Sequence, residues 1–204
     1  LFLKNLIIYL GIYKINYEFS TKIDFGSKKA NNFFKKKIKT SKLFFEYGSG
    51  NSTLYVHKKK NNYISVEGKK DIYNNLKNNK KLNVHFYDLG ISRRFSVPYF
   101  INKKKKKIIN YVKAIENINV IPDLILIDGR FRVLCFFFIM QYLKIKKLRT
   151  TTVLFDDFNR KEYSIAKQYF KFNMVDRLGV TTLSKQTKKF NFKKIEDEYL
   201  HDPS

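Results

Sequence analysis

Two glycines in the segment Glu46–Thr53 mark the part of the sequence best suited to hold a ligand. Gly48 and Gly50 follow the apolar pair Phe44-Phe45, so the pattern predicts a buried strand that runs through a tight turn into a helix. Glycine permits positive φ and leaves no side chain between the loop and a ligand, while a helix N-terminus offers unpaired N–H groups. The pattern predicts a nucleotide-like ligand at this turn. A tight turn without a ligand is the alternative interpretation.

Two common glycine motifs do not fit this segment. A dinucleotide fingerprint, G-x-G-x-x-G, needs a glycine where Thr53 stands. A P-loop needs Gly-Lys-Ser/Thr at the end of a longer loop, and the sequence lacks it here. Glu46 lies two residues before Gly48, so the pattern is an acid followed by Gly-x-Gly.

Acidic residues end five predicted strands, which comprise the run near Phe44 and the runs at 63–66, 84–87, 124–127 and 152–155. The carboxyl ends of parallel strands meet at one edge of a sheet, where open α/β sheets bind ligands. Glu67 follows Gly48 by 67 − 48 = 19 residues, close to the roughly 20 at which a Rossmann-type fold places an acid on the ribose hydroxyls. One such acid is an ordinary helix cap, whereas five in register predict a ligand site. The acids are Glu46, Glu67, Asp88, Asp128 and the pair Asp156-Asp157.

Strands that alternate with helical patterns predict a Rossmann-like, doubly wound α/β fold with a mostly parallel sheet and helices on both faces. We predict an N-terminal extension at 1–41, partly helical, and a catalytic domain at 42–183. A polar segment at 184–204 is predicted to carry a last strand. The basic run Lys103–Lys107 opposes a helix dipole, so the next helix is predicted to begin after it. Buried or packed helices are predicted at 133–143 and 162–172.

The segment Glu46-Tyr47-Gly48-Ser49-Gly50 resembles motif I of the class I S-adenosylmethionine-dependent methyltransferases. With Asp128-Gly129-Arg130-Phe131-Arg132 and Phe155-Asp156-Asp157-Phe158, the chain is similar to a small, poorly characterised group of methyltransferase-like proteins over about residues 43–179. Ser52 stands in place of the usual third glycine. The Asn/Asp-Pro-Pro-Tyr signature is missing after the fourth strand, which argues against amino methylation of DNA bases.

The resemblance implies a site for S-adenosylmethionine. It assigns the methionine end of the cofactor to Glu46, the ribose to Glu67 and the adenine to Asp88. The full set of implied cofactor residues is Glu46, Tyr47, Gly48, Ser49, Gly50, Asn51, Ser52, Glu67, Gly68, Asp88, Leu89 and Asp128.

The resemblance also implies catalytic and acceptor residues. Asp128 is expected to face the junction between methyl donor and acceptor, with Asp156 as a second candidate catalytic residue. Arg130 and Arg132 are expected either to bind an anionic acceptor or to pair with Asp156 or Asp157.

Asp128, Asp156 and Asp157 resemble the metal ligands of the cation-dependent catechol-type O-methyltransferases. Hard carboxylates suit Mg²⁺ or Ca²⁺, although Asp157 stands where that family has Asn. In the alternative interpretation Asp156 caps the next helix and Asp157 pairs with Arg130 or Arg160.

Composition points in two directions. The chain has 42 basic against 17 acidic residues, a formal net charge of +25, which favours RNA, DNA or an anionic membrane as a partner. Its scattered Lys and its richness in Asn, Ile, Phe and Tyr also fit an AT-biased genome, which we favour. We therefore expect methyl transfer to a small hydroxylated or anionic acceptor. The alternatives are an RNA methyltransferase, a non-catalytic methyltransferase-like binding protein and, more weakly, a nucleotide-sugar transferase.

The remaining features limit other functions and locations. Cys135 is the only cysteine, so an intrachain disulfide and a Cys-based zinc site are excluded. The apolar run Leu1–Tyr13 is too short to span a bilayer and is predicted to be a packed helix. The alternative is the remnant of an anchor, which would add membrane association to an otherwise cytoplasmic location.

Overall fold

Seven strands of the computed structural model, which describes residues 1–79, 82–93 and 96–204, form one sheet. They are β1 (Phe44–Tyr47), β2 (Tyr63–Glu67), β3 (Val84–Phe86), β4 (Leu124–Ile127), β5 (Thr152–Phe155), β6 (Asn173–Val175) and β7 (Leu178–Thr181). The helices are α1 (Phe2–Leu10), α2 (Lys28–Thr40), α3 (Asn51–Lys58), α4 (Lys70–Asn79), α5 (Lys105–Val112), α6 (Ala114–Asn117), α7 (Arg132–Ile145), α8 (Ser164–Tyr169) and α9 (Phe192–Tyr199).

The strand order is β3-β2-β1-β4-β5-β7-β6. The first five strands are parallel, whereas β7 runs antiparallel to both β5 and β6. The chain moves outward from β1 to β3 and then returns to place β4 on the other side of β1. This reversal is a topological switch point, where open α/β sheets form their ligand crevice. The prediction of a Rossmann-like α/β fold with a mostly parallel sheet is confirmed.

Helices cover both faces of the sheet. On one face α7 is apolar nearly all round because it is enclosed, and its Phe136 and Phe137 are fully buried. The other face packs on α2 through Ala30, Phe34 and Ile38. Burial on both faces explains why β1 and β4 are apolar at almost every position rather than at alternate ones.

Helix α5 begins at Lys105, inside the basic run, and not after it as the helix dipole suggested. The lysines on either side of that start are engaged. Lys104 Nζ donates to the carbonyl oxygens of Leu89 and Ile91, and Lys107 pairs with Asp88. These bonds offset the unfavourable dipole.

The C-terminal segment holds α9 where a last strand was predicted. Asn191 caps this helix by accepting from the N–H groups of Lys193 and Lys194. Ile195 and Leu200 are buried in the core that α7 forms. The antiparallel strands come earlier, as the β6–β7 hairpin. The helix predicted at 162–172 is shorter, at Ser164–Tyr169.

The extension contains α1 and α2, joined by an irregular segment. Across the described ranges, no helix is both long and apolar enough to pass through a membrane.

Candidate functional site

A cavity of about 470 Å³ opens at the carboxyl ends of β1, β2 and β4. It lies at the switch point of the sheet and has the size typical of small-molecule and cofactor sites. Its lining comes from the turns after these strands and from the N-terminal extension. The lining residues are Glu18, Phe19, Ile23, Asp24, Phe25, Gly48, Ser49, Gly50, Asn51, Ser52, Glu67, Gly68, Ile72, Leu89, Ser96, Tyr111, Asp128, Gly129 and Arg130.

Gly48 brings the β1 and β4 turns together at the floor of the cavity. Its φ is +92°, and a Cβ at this position would lie 2.7 Å from the backbone nitrogen of Gly129. Both the conformation and the space therefore require glycine. Gly50, the N-cap of α3, donates its backbone N–H to the Thr53 hydroxyl at 2.9 Å.

Glu46 lies beneath the glycine turn rather than in the cavity. Its carboxylate is fully buried and accepts from the hydroxyls of Ser52, Thr53 and Ser65, with Ser52 Oγ at 2.6 Å and Ser65 Oγ at 2.9 Å. Burial raises the pKa of Glu46 to about 7, although the three hydroxyl donors oppose the increase. Because the Thr53 hydroxyl also accepts from Gly50, Glu46 supports the shape of the turn.

Glu67 holds the same turn from the side and faces the cavity. One carboxylate oxygen accepts from Ser49 N at 3.0 Å and the other from Lys69 N at 2.7 Å. A carboxylate offers about four acceptor positions, so these bonds leave capacity for donors from a ligand. Burial raises the pKa of Glu67 to about 7, against the effect of the backbone donors.

Three of the predicted cofactor residues lie outside the lining. Glu46 is one, and the Tyr47 side chain is buried, with its hydroxyl donating to the Val112 carbonyl at 2.7 Å. Asp88 is the third, since its carboxylate is taken up by Tyr9, Lys107 and Gly90 N. The other predicted residues are brought together at the cavity: Gly48, Ser49, Gly50, Asn51, Ser52, Glu67, Gly68, Leu89 and Asp128.

The two arginines after β4 have different surroundings. Arg130 lines the cavity. Arg132 is buried and donates to the carbonyl oxygens of Gly129 and Asp156, at 3.1 and 2.8 Å, and to Asp128 Oδ1 at 2.9 Å. Arg132 also contacts Asp157, with Nη1–Oδ2 at 3.5 Å, so its donors are used within the protein, as the pairing alternative expected.

The two acids after β5 form ion pairs with arginines. Arg177 forks onto Asp156, with Nε–Oδ1 at 2.9 Å and Nη2–Oδ2 at 3.1 Å. Asp157 pairs with Arg160, as the alternative interpretation expected, while Asp156 pairs with Arg177 rather than capping a helix. Neither acid lines the cavity.

The predicted metal site is not supported. In the described ranges, no group of three or more His, Cys, Asp or Glu side chains is arranged to hold a metal ion. Asp128, Asp156 and Asp157 do not fit a Mg²⁺ or Ca²⁺ site, because each carboxylate forms an ion pair with an arginine.

Residues 17–27, which we call the strap, form a cavity wall that the sequence did not reveal. Asn51 holds the strap by accepting from Ser20 N at 2.9 Å and donating to the Lys22 carbonyl at 3.0 Å. Ile23 and Phe25 are buried in the core beside α2. Their apolar side chains in a polar segment were the only signal, and it is too short to predict a contact with the glycine turn.

Comparison with known proteins supports the fold. No protein-family model matches the sequence and no curated protein matches it. A solved structure matches with a TM-score of 0.70 and 19% sequence identity, over 90% of this chain and 100% of the other: the crystal structure of a methyltransferase-like protein from Silicibacter pomeroyi DSS-3. The chain has a methyltransferase-like fold. At this identity the similarity extends to the fold alone.

Proposed function

We propose that the cavity binds S-adenosylmethionine and that the chain transfers its methyl group to a small acceptor. The observation that carries the proposal is the position of Glu67, at the end of β2, beside the glycine turn and on the cavity wall. A Rossmann-type fold uses an acid at this point to accept the ribose hydroxyls of its ligand. The unused acceptor positions of Glu67 suit that role.

The charge of the cavity also supports this ligand. Among the lining residues that the structure describes, the carboxylates are Glu18, Asp24, Glu67 and Asp128, and the cation is Arg130. The lining is thus acidic in a chain whose net charge is +25. An acidic cavity suits the sulfonium cation of S-adenosylmethionine and opposes a polyanion. We therefore favour a small acceptor over RNA.

The reaction would be a direct displacement at the methyl carbon. An acceptor lone pair would form the new bond to carbon while the carbon–sulfur bond breaks, and the electrons of the broken bond would remain on sulfur, so that the sulfonium becomes the neutral thioether of S-adenosylhomocysteine. The acceptor then loses its proton. The protein has mainly to align the two reactants and exclude water, and the apolar strap residues Phe19, Ile23 and Phe25 close one wall against solvent.

Asp128 and Arg130 define the acceptor side of the proposal. Asp128 lines the cavity and keeps about a third of its side chain accessible, at 36%. In this proposal Asp128 accepts the proton of a hydroxylated acceptor, and Arg130 binds an anionic group. Asp156 has no part in this scheme, because it pairs with Arg177 away from the cavity.

Calorimetric titration with S-adenosylhomocysteine tests the proposal. Each hydrogen bond to a charged group contributes about 1.5–3 kcal/mol, so Glu67→Ala, which removes two, should weaken binding by about a hundredfold or more. Asp88→Asn is the matched control, since Asp88 lies outside the cavity, and its affinity should stay within about threefold of wild type. Equal affinities in wild type and Glu67→Ala would remove the ribose assignment. Absence of binding by the wild type would favour a non-catalytic binding protein.

A further inference from the structure

Arg177, in the turn between β6 and β7, joins two parts of the molecule that are distant in sequence. Its guanidinium forks onto Asp156 at the end of β5, and the same Nη2 donates to the Asp24 carbonyl in the strap at 2.9 Å. A planar guanidinium has several donors at fixed angles. One side chain thus connects the end of the sheet to the cavity wall.

The neighbouring contacts reinforce this connection. Asp176 accepts a hydrogen bond from the Ser27 hydroxyl at the end of the strap. Gly26 has φ of +86°, and a Cβ there would lie 3.1 Å from Arg177 Cδ. The strap therefore turns directly against the arginine, and a side chain at Gly26 would strain the backbone and press on Arg177.

We propose that Arg177 is a positioning residue: by bridging Asp156 and the Asp24 carbonyl, it latches the strap against the cavity as the wall that encloses the ligand. Asp24 lies between Ile23 and Phe25, and all three line the cavity. A fixed Asp24 carbonyl also fixes the backbone orientation of Ile23 and Phe25, and therefore the side of the strap from which their side chains project. The acid pair after β5 thus serves the cavity indirectly, through the strap.

The nature of the ligand rests on the proposed function, whereas the latch itself does not. Lys22 is exposed in the strap, so a lysine-specific protease reports strap opening with no ligand present. Opening free energies govern proteolysis when reclosing is fast. Loss of a hydrogen bond from a charged donor should then raise the rate of cleavage after Lys22 by about tenfold.

Arg177→Gln and Arg160→Gln form a matched pair for this assay. Both remove an arginine from the same acid pair, but Arg160 bonds Asp157 and, within the described part of the chain, makes no hydrogen bond to the strap. We expect cleavage after Lys22 to be about tenfold faster in Arg177→Gln and within twofold of wild type in Arg160→Gln. Equal rates in wild type and Arg177→Gln, or equal acceleration in both variants, would overturn the latch.

A second variant keeps the test valid if Arg177→Gln fails to fold. Gly26→Ala leaves Arg177 and the acids unchanged and places a Cβ against the arginine, so it should also speed cleavage after Lys22. Unchanged cleavage in this variant would contradict the latch.

Arg177→Lys separates positioning from simple charge balance. Lysine restores a cation beside Asp156 but lacks the fork, so the unfolding midpoint should return to near wild type while affinity for S-adenosylhomocysteine stays reduced about tenfold. Full recovery of affinity would overturn the positioning role. If wild type does not bind this ligand, the proposed function fails, and the ligand-free cleavage rates still decide the latch.

Discussion

The acids at the two halves of the sheet's ligand edge are alike in sequence and differ in their partners. After β2, Glu67 is bonded by backbone N–H groups and faces the cavity. After β5, Asp156 and Asp157 are paired with arginines. Backbone N–H groups leave a carboxylate its negative charge and some acceptor positions. A guanidinium that bonds both carboxylate oxygens neutralises that charge and occupies the positions on that side. The difference shows that a strand-end acid remains available to a ligand when backbone N–H groups bond it, as at Glu67, and is withdrawn when one guanidinium bonds both of its carboxylate oxygens, as at Asp156.

The largest loss of stability is expected on removal of Arg132, the buried arginine that bonds the turns after β4 and β5. Arg132→Gln would leave Asp128 Oδ1 and the Asp156 carbonyl without their donor. Asp128 is 36% exposed, so the larger part of the cost is the buried Asp156 carbonyl left without a donor, about 1–3 kcal/mol, and urea unfolding should show a loss of about 3 kcal/mol.

Asp157→Asn provides the matched control for that loss. Asp157 has φ of +55°, a conformation that Asn tolerates. Its partner Arg160 is about half exposed, and the contacts of Asp157 with Arg132 and Arg177 are long, at 3.5 and 3.4 Å. The expected cost is about 1 kcal/mol or less. Similar losses in the two variants would contradict the claim that Arg132 is the structural member of the cluster.

Glu46→Gln tests whether burial sets the protonation of the acid beneath the turn. Burial raises the pKa of Glu46 to about 7, so between about pH 4.5 and 7 the folded state holds a proton that the unfolded state has lost. Stability therefore falls as pH rises through this window. From pH 5.5 to 8 this residue should contribute a loss of about 2 kcal/mol.

Urea unfolding of wild type and Glu46→Gln at both pH values isolates that contribution. The difference in unfolding free energy between pH 5.5 and pH 8 should be smaller in the variant by about 2 kcal/mol. The same pH dependence in both proteins would show that Glu46 does not titrate in this window.

The pH dependence of ligand binding tests whether Glu67 binds the ligand as a carboxylate. In the proposed complex the ribose hydroxyls donate to the ionised carboxylate. Burial raises the pKa of Glu67 to about 7, so protonation should compete with binding. Affinity for S-adenosylhomocysteine should be level above pH 7 and fall about tenfold per unit below it. Calorimetry between pH 5.5 and 8 measures this, and Glu67→Gln should flatten the profile. A fall of equal slope in Glu67→Gln would assign the titration to another group.

The sequence predicted the fold and the cavity floor because both depend on local patterns. Apolar runs of strand length, each ended by an acid, predicted the sheet edge, and Gly48 and Gly50 predicted the turn. The strand predicted in the C-terminal segment was wrong because the amphipathic α9 packs on α7.

The partners of the acids could not be predicted from the sequence. Arg177 comes from a hairpin 21 residues beyond Asp156, and Tyr9 and Lys107 reach Asp88 from separate helices. Such contacts depend on tertiary packing, which no local spacing records. The strap escaped prediction for the same reason, because Asn51 bonds it across about 30 residues of sequence.

The most direct test is a crystal structure of the protein with S-adenosylhomocysteine. We expect ligand density in the cavity, with the ribose hydroxyls within hydrogen-bond distance of Glu67 and the strap closed beside it. The Asp156–Arg177 pair should remain intact and free of contact with the ligand. Ligand bound against Asp156 and Asp157, or a ribose away from Glu67, would contradict the account.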